Sequence, residues 1–583
     1  MRIGYSKSKN STSYSIIKDY NKNGKRTTKI VEKIGNSKMI EPLAKAENIS
    51  VKQWLDNYLH KYIEEHSDKD EQEIILIKKN SKQLISKNSK CLFNVGYLFL
   101  EDIYCDLGLN QIAQNVQDKF QFKFDLNDIL SNLVYSRIIY PSSKYKTHKL
   151  SKQFIEQPEI KLQNIYRGLS YLNKEMDYIQ KTIFENSLNV VDRNSKIIYF
   201  DCTNYYFEID DEDEIRKYGI NKQHQPSPQV GMGLFMDGDG LPLSCNLYPG
   251  NQNEQITLIP EETKIINDFK LDDTKIILCT DAGLASDQIK KFNIKDGRGF
   301  VITQSLKKLK EEYKKQVFDK SDWRIPNDLS KVYNLETIEN DNSLKEKYYD
   351  TLFYKIISTE TKSVKQDLIV TFSFKYFDYN RNIRNSQIER AKKSIETGNV
   401  TRKGKNQNDY RRFIDSLNST DDGEVAENTT YTINQELIDK EAMYDGYYAL
   451  TTNLVGDINE IFKIVKGRWE IEESFRIMKS DFLARPVNLS REDRIKAHFM
   501  TCFISLFIYR LLEKKLGYKY TTSQILDTLR NMNVLESKGD GYIPNYTRTN
   551  LTDDLHEIFN FRTDYEINTY KDFKKIFEQL KTI

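Results

Sequence analysis

The chain has 583 residues, of which 38% are hydrophobic and 30% are charged, and its formal net charge is +3. This balance is typical of a globular protein, and at about 150 residues per unit the length predicts three or four structural units. No apolar run reaches the roughly 18 to 20 residues that span a bilayer, and the basic N-terminus lacks the apolar segment of a secretory signal. We therefore expect a cytoplasmic protein without membrane association.

The six cysteines include no CxxC pair, and the six histidines lie far apart in the sequence. Sparse, unpaired cysteines favour a reducing compartment over a disulfide framework. A zinc site built from Cys and His is also disfavoured, because its ligands usually come in closely spaced pairs.

Positive charge is concentrated at the N-terminus. Residues 1–40 contain ten Lys or Arg and two acids, a net charge of +8, so the remaining 543 residues sum to −5. Strands are predicted over 14–20 and 25–32, and Asn23-Gly24 between them is a strong signal for a two-residue hairpin turn. A basic β-hairpin over 1–40 can bind a phosphate backbone. It can equally be a solvated edge hairpin, and the segment alone does not decide.

From 41 to 190 the apolar spacing is helical, most clearly over 165–184, and we predict a helical region. From 191 to 305 the pattern changes to short strands. They are predicted at 197–200, 205–207 after a turn, 229–236, 241–247, 275–279 and 300–303, with helices over 253–269 and 285–292. An antiparallel meander followed by strands joined through helices predicts a mixed α/β sheet.

Residues 306–446 interrupt this core. They contain strand candidates at 348–357 and 368–377, a helical stretch at 382–395 and a basic loop at 401–405, and we interpret them as a β-rich insertion. The core resumes over 447–515 with a strand at 447–451. A helix then starts at Asp457, where Glu460 gives a capping-box-like spacing, and runs to about 482. Residues 516–583 are predicted to be a C-terminal helical region.

Three acids are candidates for chemistry because of their positions. Asp201 follows the first core strand, Asp281 follows the strand at 275–279, and Glu472 lies in the capped helix. Ligands collect where adjacent strands of such a sheet end. Each aspartate also has a plainer interpretation, Asp281 as the cap of the next helix and Asp201 as the start of a turn.

The helix that carries Glu472 presents a charged stripe. At 100° per residue, Arg468 and Glu472 are about 40° apart and Glu472 and Lys479 about 20° apart. One carboxylate between two cations could serve a metal ion and a phosphate backbone together. A surface ion pair between Arg468 and Glu472, worth a few tenths of a kcal/mol, is the plainer interpretation, which the helix alone favours.

The tract from Arg468 to Lys479 resembles the R-x3-E-x6-K part of the Y-x2-R-x3-E-x6-K signature of DDE transposases of bacterial insertion sequences. The tracts YFDCTNYYFE around Asp201 and ILCTDAGLAS around Asp281 also match the context of this family, as do GLPL at 240–243 and YPGN at 248–251. The similarity covers roughly residues 95–510. The chain departs from the signature at Val465, where the family has a tyrosine.

The resemblance implies a ribonuclease-H-like mixed sheet core that is interrupted by the insertion, with helical N- and C-terminal regions and the N-terminal hairpin. It also implies two Mg²⁺ ions, or Mn²⁺, held by Asp201, Asp281 and Glu472, with Asp201 bridging both ions. Arg468 and Lys479 would then bind DNA phosphates, and the helical region over 41–190 would be a DNA-binding region. A site made only of acids suits Mg²⁺, and two such ions activate the attacking oxygen and stabilise the leaving oxygen of a phosphodiester.

The function expected from this resemblance is a DNA transposase that binds the terminal inverted repeats of its insertion sequence, cleaves the ends and joins them to target DNA. We expect double-stranded DNA as the partner and a homodimer in the DNA complex. Two alternatives stay open: a ribonuclease-H-like nuclease without strand transfer, and a catalytically inactive, transposase-derived DNA-binding protein. The intact acids weigh against the inactive protein.

Overall fold

A computed structural model describes residues 2–581 except 9–10, 23–24, 48, 67–83, 85–86, 220–225, 272–274, 362–363, 401–407 and 418–428. The predicted turn Asn23-Gly24 and the basic loop at 401–405 lie outside the described residues. The chain forms two compact units, Met1–Ile85 and Ser86–Ile583.

The first unit is a three-stranded antiparallel sheet followed by two helices. Its elements are β1 Arg2–Lys7, β2 Thr12–Lys22, β3 Lys25–Asn36, α1 Ser37–Ala46 and α2 Val51–His66. β2 pairs with β3 as far as Lys22 opposite Lys25, which confirms the predicted strand pair. β1 is a third strand that the sequence pattern did not indicate. Helix α1 begins where the Asn36 side chain accepts a hydrogen bond from the Met39 N–H.

The second unit begins with one short strand and six helices. These are β4 Leu92–Asn94, α3 Leu98–Asp106, α4 Leu109–Phe120, α5 Leu126–Ile139, α6 Lys144–Leu150, α7 Leu162–Lys174 and α8 Met176–Val190. The helical prediction for this part is confirmed apart from β4. The single helix predicted over 165–184 is wrong, since α7 ends and α8 begins around Glu175.

The central sheet follows the predicted order. Its first elements are β5 Ile197–Tyr206, β6 Gln229–Asp237, β7 Pro242–Pro249, α9 Glu254–Asp268, β8 Ile277–Thr280, α10 Asp287–Phe292 and β9 Gly299–Thr303. These strands are neighbours in the order β7-β6-β5-β8-β9. The pairs among β7, β6 and β5 are antiparallel, whereas β5, β8 and β9 are parallel, so the predicted mixed α/β sheet is confirmed. The predicted turn after 201 is wrong, because β5 continues to Tyr206 opposite β6.

The strands after the core's first part extend the same sheet. The elements are α11 Glu311–Phe318, β10 Trp323–Ile325, β11 Asp328–Tyr333, α12 Leu335–Asn340, α13 Asn342–Lys347, β12 Phe353–Thr361, β13 Val364–Phe372, α14 Phe374–Glu396, β14 Ile414–Leu417, β15 Thr430–Ile433, α15 Gln435–Ala442 and β16 Tyr447–Thr452. The ten-stranded order is β11-β10-β12-β13-β16-β9-β8-β5-β6-β7. The strand predicted to reach 377 stops at Phe372, because Phe374 already begins the long helix α14.

The remaining elements include an interrupted helix. They are α16 Ile458–Gly467, α17 Trp469–Arg476, a π-helical turn Ile477–Asp481, α18 Glu492–Lys515, α19 Thr522–Asn531, β17 Asn533–Ser537, β18 Gly541–Pro544, α20 Asn550–Phe559 and α21 Tyr570–Lys581. The continuous helix predicted from 457 to 482 is therefore wrong. The C-terminal region is helical but also contributes β17 and β18, which form a small sheet with β4.

At strand β5, two different cores cover the two faces of the central sheet. On β5, Tyr199 and Tyr205 belong to the core that contains the helices, whereas Ile198 and Phe200 belong to the core beneath α9 and α10. Helix α18 lies within the first core. Its length and composition would allow it to cross a membrane, but 94% of its most apolar 18-residue window is buried inside the protein. This placement is that of a central core helix.

Candidate active site

Asp201 and Asp281 lie at matching positions of two neighbouring parallel strands. The last pair between β5 and β8 joins Tyr199 to Cys279, so the same register places Asp201 beside Asp281 two residues later. The backbone at Asp281 is still extended, with φ −81° and ψ 176°, and neighbouring strands lie about 4.8 Å apart. Both carboxylates therefore project from the end of the parallel pairing, although Asp201 lies in the middle of β5 rather than at its end.

Both aspartates also make local hydrogen bonds. Asp281 Oδ1 accepts the N–H of Gly283 at 2.9 Å and so caps the turn that follows β8, which was its plainer interpretation. Asp201 Oδ1 accepts the N–H of Cys202 at 2.8 Å. These bonds hold one carboxylate oxygen of each residue and fix its orientation.

Asp201 projects from the side of β5 that contacts the segment around Glu472. Side chains alternate along a strand, so Tyr199, Asp201 and Thr203 share one side. The Tyr199 hydroxyl donates to the carbonyl of Ile464 at 3.0 Å. The Thr203 hydroxyl accepts a hydrogen bond from Lys479 Nζ. Asp201 lies between these two contacts.

Glu472 forms an ion pair with Arg468. Arg468 Nη1 lies 3.0 Å from Glu472 Oε1, and the side chains are 22% and 55% exposed, respectively. The ion pair of the plainer interpretation is therefore present. It lies near β8, because the positive charge of Arg468 acts on the Cys279 thiol. Within the described residues, no group of three or more His, Cys, Asp or Glu side chains is arranged to hold a metal ion.

Lys479 lies beyond the α-helical part of the predicted stripe. It lies in the π-helical turn, where wider turns replace the 100° step, so its angular position relative to Glu472 differs from the prediction. Its Nζ binds Thr203 and lies 5.3 Å from the centre of the Tyr205 ring. The ammonium is thus placed on β5, two residues beyond Asp201.

Sequence reasoning missed one acid near the aspartates, Glu254. Burial raises the pKa of the Cys202 thiol, and the charges of Glu254, Asp201 and Asp281 raise it further. Glu254 begins α9, and the next residue, Gln255, donates to the carbonyl of Gly283 in the turn after Asp281 at 2.7 Å. The available signal was the position of Glu254 three residues after the YPGN tract.

The donor atoms near the end of the β5–β8 pairing fit a hard divalent cation. Carboxylate oxygens of Asp201 and Asp281 are the ligands that Mg²⁺ and Mn²⁺ prefer. The neighbouring thiol of Cys279 is buried, and burial raises its pKa to about 12, so it carries its proton at neutral pH. The chemistry of this donor set therefore suits Mg²⁺ rather than zinc.

A buried polar cluster holds the chain just after the π-helical turn. Arg137 donates to the carbonyls of Phe482 and Leu483 at 3.0 and 3.1 Å. His498 Nε2 bonds the carbonyl of Ala484 at 2.9 Å, so this nitrogen carries the proton, and Nδ1 accepts a hydrogen bond from Lys144 Nζ at 3.1 Å. Two helices of the N-terminal part and α18 thereby fix the end of the segment that carries Glu472 and Lys479.

This cluster makes stability depend on pH. Burial, together with the charge of Arg137, lowers the pKa of Lys144 from 10.5 to about 7. Between these pH values the unfolded chain holds a proton that the folded chain lacks, so the free energy of unfolding rises with pH from about 7 to 10.5. We expect Lys144→Met to flatten this rise, measured by urea unfolding between pH 7 and 9. Lys146→Met, at an exposed lysine of the same helix, is the control and should keep the wild-type slope.

An unchanged slope in Lys144→Met would show that the Lys144 ammonium keeps its proton in the folded protein. The Lys144–His498 contact would then not be the hydrogen bond of a neutral amine.

The part of the chain that contains Asp201, Asp281 and Glu472 matches a known protein family. The model of the family described as "Transposase DDE domain" matches residues 195–508, more than half of the chain, from the start of β5 into α18. No curated protein matches. Among solved structures, the chain is similar to one from the cryo-EM structure of the piggyBac transposase synaptic complex with hairpin DNA, with 9% identity and a TM-score of 0.33 over 83% of this chain and 84% of that one. The chain belongs to the family of transposases with a DDE domain.

Proposed function

We propose that this transposase binds the terminal inverted repeats of an insertion sequence, cleaves the DNA at the element ends and joins the ends to target DNA. The observation that carries the proposal is that Asp201 and Asp281 lie side by side at the end of the parallel pairing of β5 and β8. Strand β5, which carries Asp201, also contacts the segment around Glu472. We also infer a ribonuclease-H-like core. The strand order β7-β6-β5-β8-β9, three antiparallel strands followed by two parallel additions, supports it.

Asp201 and Asp281 would hold Mg²⁺ or Mn²⁺, two ions per site, and Glu472 would supply the third carboxylate. When bound by these residues, the ions would supply activation of an attacking water or 3′-hydroxyl and stabilisation of the leaving oxygen. The ion pair with Arg468 joins Nη1 to Oε1, and a carboxylate has two oxygens, so Glu472 could bind a metal ion without giving up this pair. Arg468 would bind a DNA phosphate, which a guanidinium can contact through two parallel hydrogen bonds. Lys479, held on β5 next to Asp201, would bind a second phosphate.

The proposal predicts metal-dependent cleavage of specific DNA. The test incubates the protein with labelled DNA from both flanks of its own gene, in Mg²⁺ or in EDTA, and follows nicking and joining to a plasmid. Cleavage at the boundaries of inverted repeats followed by joining supports the proposal. Cleavage without joining favours the nuclease, and specific binding without cleavage favours the inactive DNA-binding protein.

We further propose that the protein acts in the cytoplasm on nucleoid DNA and binds the two element ends as a homodimer. A dimer brings together two ends and two active sites, which is what joining both ends to one target requires. Sizing the protein alone and with end DNA by light scattering tests this part. A complex with one chain per pair of ends would contradict it.

The basic first unit is proposed to bind DNA. Replacing its exposed lysines Lys7, Lys29 and Lys33 with Gln should weaken end binding and lower the slope of log affinity against log salt, by up to about 0.9 for each phosphate that the protein no longer neutralises. The matched control replaces three exposed lysines of α21: Lys571, Lys574 and Lys575. Equal slopes for the two triple variants and the wild type would show that the first unit does not bind phosphates.

A further inference from the structure

The helix segment that carries Glu472 is short and irregular at both ends. At its start, the N–H of Arg468 bonds the carbonyl of Val465 at 3.2 Å and the N–H of Ile471 bonds the carbonyl of Arg468 at 3.3 Å, so a tight turn separates α17 from α16. At its end, α17 passes directly into the π-helical turn. Because both junctions depart from α-helical geometry, the rotation of α17 about its axis is not dictated by α16.

One buried side chain of α18, that of Arg510, contacts α17 through all three nitrogens of its guanidinium group. Arg510, which is only 4% exposed, donates from Nε and Nη2 to the Ser474 hydroxyl at 3.2 and 2.9 Å. Nη2 also donates to the carbonyl of Glu470 at 2.9 Å, and Nη1 lies 3.1 Å from the Glu470 carboxylate. The guanidinium is balanced by a second acid, Glu513, at 2.9 Å from Nη1.

The residues that bind Arg510 make further contacts of their own. The Ser474 hydroxyl donates to the carbonyl of Glu470 at 2.8 Å. The Tyr509 hydroxyl donates to Glu513 at 2.7 Å. The Glu470 side chain also packs against the turn between β6 and β7, where a Cβ on Gly240 would lie 3.2 Å from the Glu470 Cγ. The network therefore ties α17 both to α18 and to the central sheet.

Arg510 binds α17 on the side of the helix opposite Glu472. Glu470 and Ser474 are two residues before and after Glu472, which places each of them about 160° away around the helix. A rotation of α17 would therefore break the Arg510 contacts and move Glu472 at the same time. A buried ion pair often stabilises the folded protein no more than apolar side chains of similar volume would. The planar guanidinium of Arg510 does, however, fix the positions of the groups that it binds.

We propose that Arg510 is a positioning residue that sets the rotation of α17 and thereby directs Glu472 to the metal site. This inference rests on the proposed role of Glu472 as third metal ligand. Arg510 acts only through α17 and does not itself contact metal or DNA.

The test measures metal affinity directly, by titrating the full-length protein with Mn²⁺ and following free Mn²⁺ by electron paramagnetic resonance. We expect Arg510→Lys, which keeps the charge and loses the fork, to weaken Mn²⁺ binding at least tenfold. Glu472→Gln should weaken it similarly, and the double variant should be no weaker than Glu472→Gln alone, because Arg510 acts through Glu472. Ser474→Ala, which removes one anchor at little cost in volume, should show a smaller loss in the same direction.

The matched control is Arg384→Lys, at an arginine whose side chain is 11% exposed and which pairs with Asp445 at 2.5 Å within the part of the chain around α14. It should leave Mn²⁺ binding unchanged. Wild-type affinity in Arg510→Lys, or effects that add fully in the double variant, would overturn the positioning role while the proposed function stands. A wild-type protein that neither binds Mn²⁺ nor cleaves end DNA would instead remove the proposed function, and the inference with it.

Discussion

Replacing Asp201 or Asp281 with Asn is expected to lower cleavage of end DNA more than about 1000-fold. The metal ions that these residues are proposed to hold would supply several kcal/mol of charge stabilisation, and each 1.36 kcal/mol corresponds to a factor of ten in rate. Binding of end DNA should change little, since neutralising one carboxylate does not dismantle the sheet. Cleavage of labelled ends in Mg²⁺ and a gel-shift titration in EDTA measure the two quantities separately.

The matched control is Asp211→Asn, at an exposed acid in the loop that follows β5. It should cleave at the wild-type rate. Normal cleavage by Asp201→Asn or Asp281→Asn would exclude that residue from the site, and an equal loss in the control would point to a general effect of acidic charge on folding or solubility.

Replacing Glu472 with Gln is expected to reduce cleavage more than about 100-fold while stability barely changes. The Glu472 side chain of the Arg468–Glu472 ion pair is 55% exposed. Exposed i,i+4 ion pairs contribute only about 0.3–0.5 kcal/mol to the free energy of unfolding. Arg468→Ala and Lys479→Ala should lower joining roughly 10- to 100-fold, since each would remove a side chain that positions a phosphate. Strand joining and thermal melting, measured on the same preparations, give the comparison.

The proper control on this helix is Glu473→Gln. Glu473 pairs with Arg476 at 2.6 Å, outside the contacts that involve Arg468 or Lys479. Glu470, which the helical stripe alone would also place off the site, is unsuitable because it is held by Arg510. Equal effects of Glu472→Gln and Glu473→Gln on joining would leave Glu472 as a surface ion-pair residue, and the assignment of the third ligand would fail.

Much of the fold could be predicted because its signals are local. The pair β2–β3 follows from alternation on both sides of Asn23-Gly24, and β6, β7, β8 and β9 follow from apolar runs bounded by turn residues. The wrong prediction of a turn after Asp201 has a cause outside the local sequence. Tyr205 and Tyr206 suggested a new strand after a turn, but β5 stays extended through them because β6 supplies hydrogen-bonding partners as far as Gln229.

For the site, the sequence by itself determined which side chains are present and their spacing: Asp201, Asp281, and Glu472 between Arg468 and Lys479. Only the tertiary structure decided how these side chains are placed. The register of β5 on β8 places the aspartates side by side. Lys479 lies in the π-helical turn and binds Thr203 of β5. Arg510 binds Ser474 of α17 from 36 residues further along the chain. Periodicity reports contacts within a few residues, whereas register, helix rotation and buried polar networks arise from packing between distant segments, which no local pattern encodes.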